Sequence, residues 1–225
     1  MKYLIAVPCL DMMHTRFVAS LVGMNKFDGK DHVEIMFSQN SLVYDSRNGI
    51  AAKAINQGFD RIMWLDSDMV FEPDLMERLA RRLDEGHEIV TGLYFTRKLP
   101  VQPVVYKSIT QEPPAAESYK DYPKNGFFEI AGCGFGGVMT TVKSIYDVGH
   151  VYGNPFSPLP GIGEDFSFCL RATSLGKKIY CDASIKLKHC SSYEIGEADF
   201  EKIKEIGTGR PEDTLPCLDD GRGGV

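Results

Sequence analysis

Apolar residues in the first 94 positions alternate between short continuous runs and helix-like spacing. Four short runs predict buried strands, at residues 2–7, 32–37, 61–65 and 88–94. Between the runs, apolar residues recur at helical intervals, as at Leu75, Leu79 and Leu83. Asp45 is expected to cap the second helix, and Gly86 to end the third. This alternation predicts a parallel sheet with helices on its faces.

The second half of the chain changes to extended pieces interrupted by prolines. Further strands are predicted at residues 104–106, 127–131, 178–181 and 185–187. The polar segment 111–126 is expected to be an irregular excursion, and residues 163–175 to form a helix that Gly176 ends. The sheet is therefore predicted to be mixed. Residues 1–195 are predicted to form one domain, and residues 196–225 a C-terminal helix and a tail that is mobile or closes over a ligand.

The composition is that of an ordinary globular protein. The chain has 225 residues, a length that one α/β domain can fill. Its net charge of −6 provides no basic surface for nucleic acid, so no nucleic-acid partner is expected, and a bound diphosphate would need a cation. The six cysteines include no C-x-x-C pair, which favours reduced thiols in a cytoplasmic protein.

The apolar segment at the start of the chain is short. MKYLIAVPCL contains Pro8 and is followed by Asp11, so a buried strand is favoured over a signal peptide. No apolar stretch approaches the roughly 20 residues that span a bilayer. Any contact with a membrane is therefore expected to be peripheral.

The segment WLDSDMVF carries the sharpest candidate site. An apolar strand delivers Asp66 and Asp68 to the carboxyl edge of the predicted sheet, where ligands of open α/β sheets bind. If the chain is extended there, both carboxylates point to one side and can share a divalent cation, or divide a cation and a ribose between them. The alternative is that Asp and Ser simply form a turn after the strand.

A second acidic pair begins a predicted helix. Glu164 and Asp165 follow Gly161 and Gly163, which would leave the approach to the helix open. One carboxylate projecting from the end of a rigid helix can act as a general base toward an acceptor hydroxyl. The alternative is that both residues only stabilise the helix N-terminus.

Three further features allow two interpretations each. His189 ends a predicted strand and can complete the coordination of a cation, or be a structural histidine. The glycine-rich run AGCGFGGVM allows a ligand to approach the backbone closely, or forms a bulged strand. Basic side chains near the expected nucleotide edge either contact the nucleotide or are solvated, namely Arg47 with Asn48, and Arg97 with Lys98.

Together, and in this order, these segments resemble the GT-A glycosyltransferases, particularly the family 2-like group. The likeness covers roughly residues 2–190 and is carried by IAVPCLD, SRNGIAAKAI, LDSDMVF, AGCGFGGVM and GEDFSFCLRATSLGKKIYCDASIKLKH. It implies an α/β fold with a single GT-A domain, whose mixed, mostly parallel sheet is flanked by helices. It also implies that the domain binds a nucleoside diphosphate sugar with Mn²⁺ or Mg²⁺.

The resemblance assigns roles to residues at the matching positions. It places Pro8, Arg47 and Asp66 at the nucleotide-sugar, with Asp66 meeting ribose or metal. Gly136 and Gly137 would border the sugar. The metal ligands would be Asp68 and His189, with Asp66 as a third candidate. The base would be Asp165, with Glu164 binding the acceptor or sharing the role.

Two departures from the family pattern leave details open. The acidic residue that many relatives place after the second strand is not evident in FSQNSLVY, and the sequence contains no C-terminal membrane segment. The nucleotide and the delivery of the acceptor therefore stay undetermined, as do the sugar, the acceptor and the oligomeric state.

The implied reaction is a direct displacement by a hexosyltransferase-type enzyme. Asp165 would remove the proton of a saccharide or other hydroxyl acceptor, the oxygen would attack the anomeric carbon, and the cation would stabilise the departing diphosphate. This route inverts the anomeric centre, whereas a site without a base would allow retention. The alternatives are a sugar nucleotidyltransferase, although PCLDMMHTR lacks the expected glycines, or a non-catalytic binding module of the same fold.

Overall fold

The computed structural model describes residues 1–25, 31–39, 41–97, 99–190 and 194–206. The tail that the sequence predicts to be mobile, and Lys98, lie outside the described residues.

Strands and helices alternate through the first part of the chain, as the sequence predicts. The described strands are β1 (Lys2–Pro8), β2 (His32–Ser38), β3 (Arg61–Leu65), β4 (Met69–Phe71), β5 (Ile89–Leu93), β6 (Val105–Gln111), β7 (Pro114–Ser118), β8 (Phe127–Ile130), β9 (Gly132–Cys133), β10 (Gly137–Thr141), β11 (Ile179–Cys190) and β12 (Glu194–Ile195). The described helices are α1 (Thr15–Gly23), α2 (Val43–Asn56), α3 (Leu75–Asp84), α4 (Val142–Tyr152), α5 (Glu164–Ser174) and α6 (Glu197–Ile206).

The main sheet is mixed and mostly parallel. Its order is β12-β11-β5-β10-β3-β1-β2, with β4 and β8 also pairing with β11. Strands β1, β2, β3, β5 and β11 run in one direction, and β10 lies antiparallel between β3 and β5. The predicted α/β fold with one central sheet is therefore confirmed. A smaller sheet, β7-β6-β9, is attached to it.

Helices cover both faces of the main sheet because alternate residues of each strand point to opposite faces. In β1, Leu4 and Ala6 pack in a cluster with residues of α2, α4, α5 and α6. Tyr3, Ile5 and Val7 pack on the other face with α1 and α3. Two apolar layers therefore hold the strands in place, and the parallel strands β1, β2, β3 and β5 end at the same carboxyl edge.

Three strands differ from the expectation because tertiary pairing overrides a weak local pattern. The segment 111–126 is not wholly irregular, since β7 pairs antiparallel with β6. The two strands predicted at 178–181 and 185–187 form the single strand β11, which has an irregularity between Asp182 and Lys186. Strand β4 was not predicted, and it is stabilised by pairing with β11 far along the chain.

Two helix predictions also need correction. Asp45 does not cap α2, because the helix begins earlier and Asp45 lies within its first turn. Helix α4 was not predicted, although its signal is present in the sequence. Thr141 accepts a hydrogen bond from the Ser144 amide, and Val142, Ile145 and Val148 form a buried face.

The C-terminal helix packs against the domain that precedes it. Phe200 of α6 is 5% exposed and stacks on Phe95, with ring centroids 5.0 Å apart. Glu197 accepts hydrogen bonds from Tyr122 and Lys186. Helix α6 is thus part of the hydrophobic core, and the division at residue 195 stays a prediction.

We expect Phe200→Ala to lower the free energy of unfolding by about 3 kcal/mol, because it removes a buried aromatic ring from the core. Lys202→Ala, on an exposed position of the same helix, should change it by less than about 0.5 kcal/mol. Urea unfolding of both variants measures the difference. Equal effects of the two substitutions would show that Phe200 does not anchor α6.

Candidate functional site

The two aspartates of WLDSDMVF diverge at the carboxyl edge of the sheet. The segment after β3 is a turn, in which the Met69 amide donates to the Asp66 carbonyl at 3.3 Å, and is not extended. Asp66 and Asp68 consequently contact different partners: Asp66 meets Arg47, whereas Asp68 meets His189 and Arg97. The site has two parts, defined as the arginine cluster (Arg47, Asp66, Glu164, Asp165) and the histidine pair (Asp68, His189).

Arg47 lies at the centre of the arginine cluster. Its side chain is 1% exposed and packs near the rings of Trp64 and Phe135. Nη2 donates to Asp66 at 3.0 Å, and Asp165 lies 3.5 Å from the same nitrogen. Nε lies 3.6 Å from Glu164. Burial lowers the pKa of Arg47, but the three carboxylates outweigh burial and raise it, so the guanidinium stays charged.

Helix α5 begins at Glu164 and places Asp165 in its first turn, beside this guanidinium. Oδ2 of Asp165 accepts a hydrogen bond from the Phe135 amide at 3.2 Å. Oδ1 is buried and has no hydrogen-bond partner among the described residues. Burial raises the pKa of Asp165 to about 8; the Arg47 charge opposes this rise, and the charges of Glu164 and Asp66 add to it. Asp165 can therefore gain and lose a proton near neutral pH, as a general base requires.

The histidine pair is formed where β11 runs beside the aspartate turn. His189 is in register with Met69, and the Cys190 amide donates to the Asp68 carbonyl at 2.7 Å. Nε2 of His189 lies 3.4 Å from Oδ2 of Asp68, and Nδ1 lies 3.0 Å from the Phe95 carbonyl oxygen. Burial raises the pKa of Asp68, but His189 and Arg97 lower it below its usual value.

The donor chemistry of the histidine pair fits a divalent cation such as Mn²⁺. A histidine whose Nδ1 is held by a carbonyl keeps Nε2 free to bind metal, and a carboxylate oxygen lies beside it. The structure does not assemble the predicted set of three ligands, because Asp66 is turned to Arg47. Among the described residues, no group of three or more His, Cys, Asp or Glu side chains is arranged to hold a metal ion. Substrate oxygens and water would have to complete the coordination.

Tyr94, which sequence reasoning missed, contacts the histidine pair and feels the charges of Asp66 and Asp165 in the arginine cluster. Its hydroxyl accepts a hydrogen bond from the Gly136 amide at 3.2 Å, and its ring meets the His189 ring edge-on at 5.7 Å. Burial raises the pKa of Tyr94 well above its usual value. A buried tyrosine at the end of a strand looks like an ordinary core residue in the sequence, so the sequence contains no signal for this role.

The glycines of AGCGFGGVM are explained by protein packing. A methyl group at Gly136 would lie 3.2 Å from both the Tyr94 hydroxyl and the Met69 sulfur. A methyl group at Gly137 would lie 2.5 Å from Leu187. The sugar contacts assigned to these two glycines therefore stay predictions.

The structure also locates the remaining predicted nucleotide residues. Pro8 is buried at the end of β1, in register with Ser38 of β2. Asn48 accepts a hydrogen bond from the Phe156 amide at 2.9 Å. Arg47 is enclosed by carboxylates and aromatic rings, so its contacts here are with the protein.

Comparisons with solved structures identify the architecture. The crystal structure of A197 from STIV matches with a TM-score of 0.61 and 19% identity, over 85% of this chain and 86% of the other. GalNAc-T7, crystallised with UDP, GalNAc and Mn²⁺, matches with a TM-score of 0.61 and 10% identity, over 91% of this chain and 47% of the other. The protein has a GT-A-like fold.

This likeness shows the fold alone. The GT-A-like chain spans about half the length of the GalNAc-T7 chain that it matches. No protein-family model matches it, and the search of curated proteins gives no significant match. Family 2 membership and a cytoplasmic location both stay predictions. Among the described residues, no helix combines the length and the apolar character needed to cross a membrane.

We expect Asp165→Asn to raise the melting temperature increasingly as pH rises from about 5 to about 8. In the folded protein burial raises the pKa of Asp165 to about 8, above its unfolded value of roughly 3.9. Wild-type stability contributed by the protonated carboxyl is therefore lost as pH rises through 8. The asparagine variant has no proton to lose, so it should gain several degrees on the wild type.

Asp11→Asn, an exposed position in the loop after β1, serves as the control and should show no such trend. Scanning calorimetry at half-unit pH intervals measures all three proteins. A constant difference between Asp165→Asn and the wild type would mean that Asp165 is ionised throughout this range.

Proposed function

We propose that the protein is a metal-dependent glycosyltransferase that moves a sugar from a nucleoside diphosphate sugar to an acceptor hydroxyl. One observation carries the proposal: a largely buried carboxyl with a raised pKa and a carboxylate–imidazole pair lie on either side of one turn at the carboxyl edge of a GT-A-like sheet. Open α/β sheets bind their ligands at this edge. On this proposal Asp165 would act as the base and the histidine pair would hold the cation, within one region of the surface.

The donor is assigned to the side of the histidine pair. Asp68 and His189 would hold Mn²⁺ or Mg²⁺, and a cation there would supply the positive charge that a departing diphosphate needs. Asp66, whose side chain is 32% exposed, keeps a surface on which a ribose hydroxyl can bind while its other side meets Arg47. The two aspartates thus divide ribose and metal between them. Pro8, Gly136 and Gly137 remain proposed donor contacts.

The acceptor is assigned to the side of Asp165. Its carboxylate removes the acceptor proton as the oxygen attacks the anomeric carbon, and the outcome is inversion. Arg47 lies beside Oδ1 of Asp165, and the Phe135 amide donates a hydrogen bond to Oδ2. Glu164, whose side chain is 18% exposed, lies beside it and can orient the acceptor.

Two competing functions, a sugar nucleotidyltransferase and a non-catalytic binding module, fit the described residues less well. A sugar nucleotidyltransferase would need a glycine-rich loop after the first strand to hold a triphosphate, and residues 9–14 contain no glycine. A non-catalytic binding module would gain nothing from a carboxyl oxygen, Oδ1 of Asp165, that is buried without a hydrogen-bond partner among the described residues, because such a group costs stability. The glycosyltransferase therefore accounts for more of the site.

We expect a nucleoside diphosphate to raise the melting temperature in the presence of Mn²⁺ and to have little effect in excess chelator. The crystal of GalNAc-T7 contains UDP and Mn²⁺, so UDP is tested first, followed by GDP, ADP and CDP. A ligand at about 100 times its Kd stabilises by roughly 2.7 kcal/mol. Equal shifts with and without metal would contradict metal dependence, and larger shifts with triphosphates would favour the nucleotidyltransferase.

We expect Asp165→Asn and His189→Ala to impair transfer in different ways. Loss of a general base should reduce the transfer rate by roughly two to four orders of magnitude while donor affinity stays near normal. Loss of His189 should instead weaken metal and donor binding, so that added Mn²⁺ partly restores activity. Donor affinity by calorimetry and product formation at several Mn²⁺ concentrations separate the two effects.

The wild-type rate should also rise as pH increases through about 8, because the base must be ionised and the pKa of Asp165 is raised to about 8 by burial. Near-normal turnover by Asp165→Asn would transfer the role of base to Glu164 or leave Asp165 as a structural residue. Failure of Mn²⁺ to restore His189→Ala would show that His189 is not a metal ligand.

A further inference from the structure

Arg97 places a positive charge on the carboxylate of the histidine pair. Its Nη1 atom donates to Oδ2 of Asp68 at 2.5 Å. The same oxygen lies 3.4 Å from Nε2 of His189. Two cationic or potentially cationic groups therefore converge on one oxygen, and it is the oxygen that a divalent cation between Asp68 and His189 would use.

The two partners of Asp68 differ in their freedom to move away. The His189 side chain is 15% exposed and is held by the Phe95 carbonyl and the edge of the Tyr94 ring. The Arg97 side chain is 52% exposed and extends from the loop between β5 and β6. Asp68 is its one ion-pair partner among the described residues. Arg97 can leave Asp68 at little cost, whereas His189 cannot.

The positive charge of Arg97 determines how this side chain responds to a divalent cation. A guanidinium and a divalent cation on one carboxylate oxygen repel each other strongly, since both are positive and only a few ångströms apart. A diphosphate beside the cation attracts the guanidinium, because arginine pairs well with phosphate oxygens. Arg97 thus opposes binding of the cation alone and favours binding of the cation together with a diphosphate.

We propose that Arg97 is an exchangeable counter-ion that moves from Asp68 to the donor diphosphate when a divalent cation binds to Asp68 and His189. This inference rests on the proposed function for the identity of the donor. Its consequence is positive coupling between the cation and the donor, so that the metal site is filled mainly when donor is present. Arg97 is then a donor-binding residue.

The test uses Arg97→Gln in the full chain, with two probes that need no catalytic turnover. Mn²⁺ alone is titrated by the electron paramagnetic resonance signal of free Mn²⁺. Inorganic pyrophosphate, which carries a diphosphate without a base or sugar, is then titrated by calorimetry in saturating Mg²⁺. We expect Arg97→Gln to bind Mn²⁺ about two- to fivefold more tightly, as loss of a competing exposed ion pair implies. We expect it to bind pyrophosphate about tenfold more weakly, because a charge-assisted hydrogen bond is lost.

Two control variants separate the exchange from a general effect of charge. Arg81→Gln removes one positive charge from an exposed position of α3 and should alter neither affinity. Arg97→Lys keeps the charge and should bind Mn²⁺ like the wild type, with only part of the pyrophosphate affinity lost. Melting temperatures verify that all variants are folded.

The proposal requires Arg97→Gln to bind Mn²⁺ more tightly and pyrophosphate more weakly, and either result can contradict it. Unchanged or weaker Mn²⁺ binding by Arg97→Gln would show that Arg97 does not compete for Asp68. Unchanged pyrophosphate binding would show that Arg97 does not move to the diphosphate. If the wild type binds Mn²⁺ and pyrophosphate but no nucleoside diphosphate, the proposed function fails while the exchange at Asp68 is still measured.

Discussion

The site depends on one buried charge, the guanidinium of Arg47. A charged side chain that is 1% exposed must be compensated by nearby carboxylates, since an unpaired buried charge is strongly destabilising. The compensation comes from Asp66 at the end of β3 and from Glu164 and Asp165 at the start of α5. One charge therefore fixes a helix, a strand end and a second helix relative to each other. Burial raises the pKa of Asp165 to about 8 against the opposing charge of Arg47, and the neighbouring carboxylates Glu164 and Asp66 add to the rise.

The turn after β3 directs the two aspartates of the segment to different partners. Asp66 is bound to Arg47, whereas Asp68 contacts His189 and Arg97. Burial raises the pKa of Asp68, but these two partners lower it below its usual value, so Asp68 stays ionised. Tyr94 contacts the Gly136 amide and the His189 ring, and the charges of Asp66 and Asp165 also act on its hydroxyl. A site with one protonatable and one ionised carboxylate is suited to acid–base and metal chemistry at the same time. This arrangement lowers stability at Oδ1 of Asp165, because that oxygen is buried without a hydrogen-bond partner among the described residues.

The GT-A-like fold provides the place for this site but does not determine its chemistry. A total of 211 chains of solved structures match the protein, so the architecture is widely used and cannot by itself select a donor or an acceptor. On the proposed function, side chains at the carboxyl edge would select the donor and the acceptor. Of these, the exposed Arg97 and the buried Tyr94 belong to the loop that comes after β5, which the D-x-D pattern alone does not indicate.

The sequence by itself determined the layers of the fold. The spacing of apolar residues, together with the glycines and prolines that end elements, was sufficient to predict β1, β3, α3 and α5. Each of these elements packs its own apolar residues into the core around the sheet. The sequence also identified Asp66, Asp68, Asp165 and His189 as candidates, since each stands at the end of a predicted element, where open α/β sheets bind ligands. Only the tertiary structure decided that Asp66 and Asp68 have different partners, that β4 and β7 are strands, and that Tyr94 and Arg97 contact His189 and Asp68 of the candidate site. These features depend on contacts between residues far apart in the chain, such as β4 with β11 and Arg47 with Asp165, and local periodicity contains no information about such contacts.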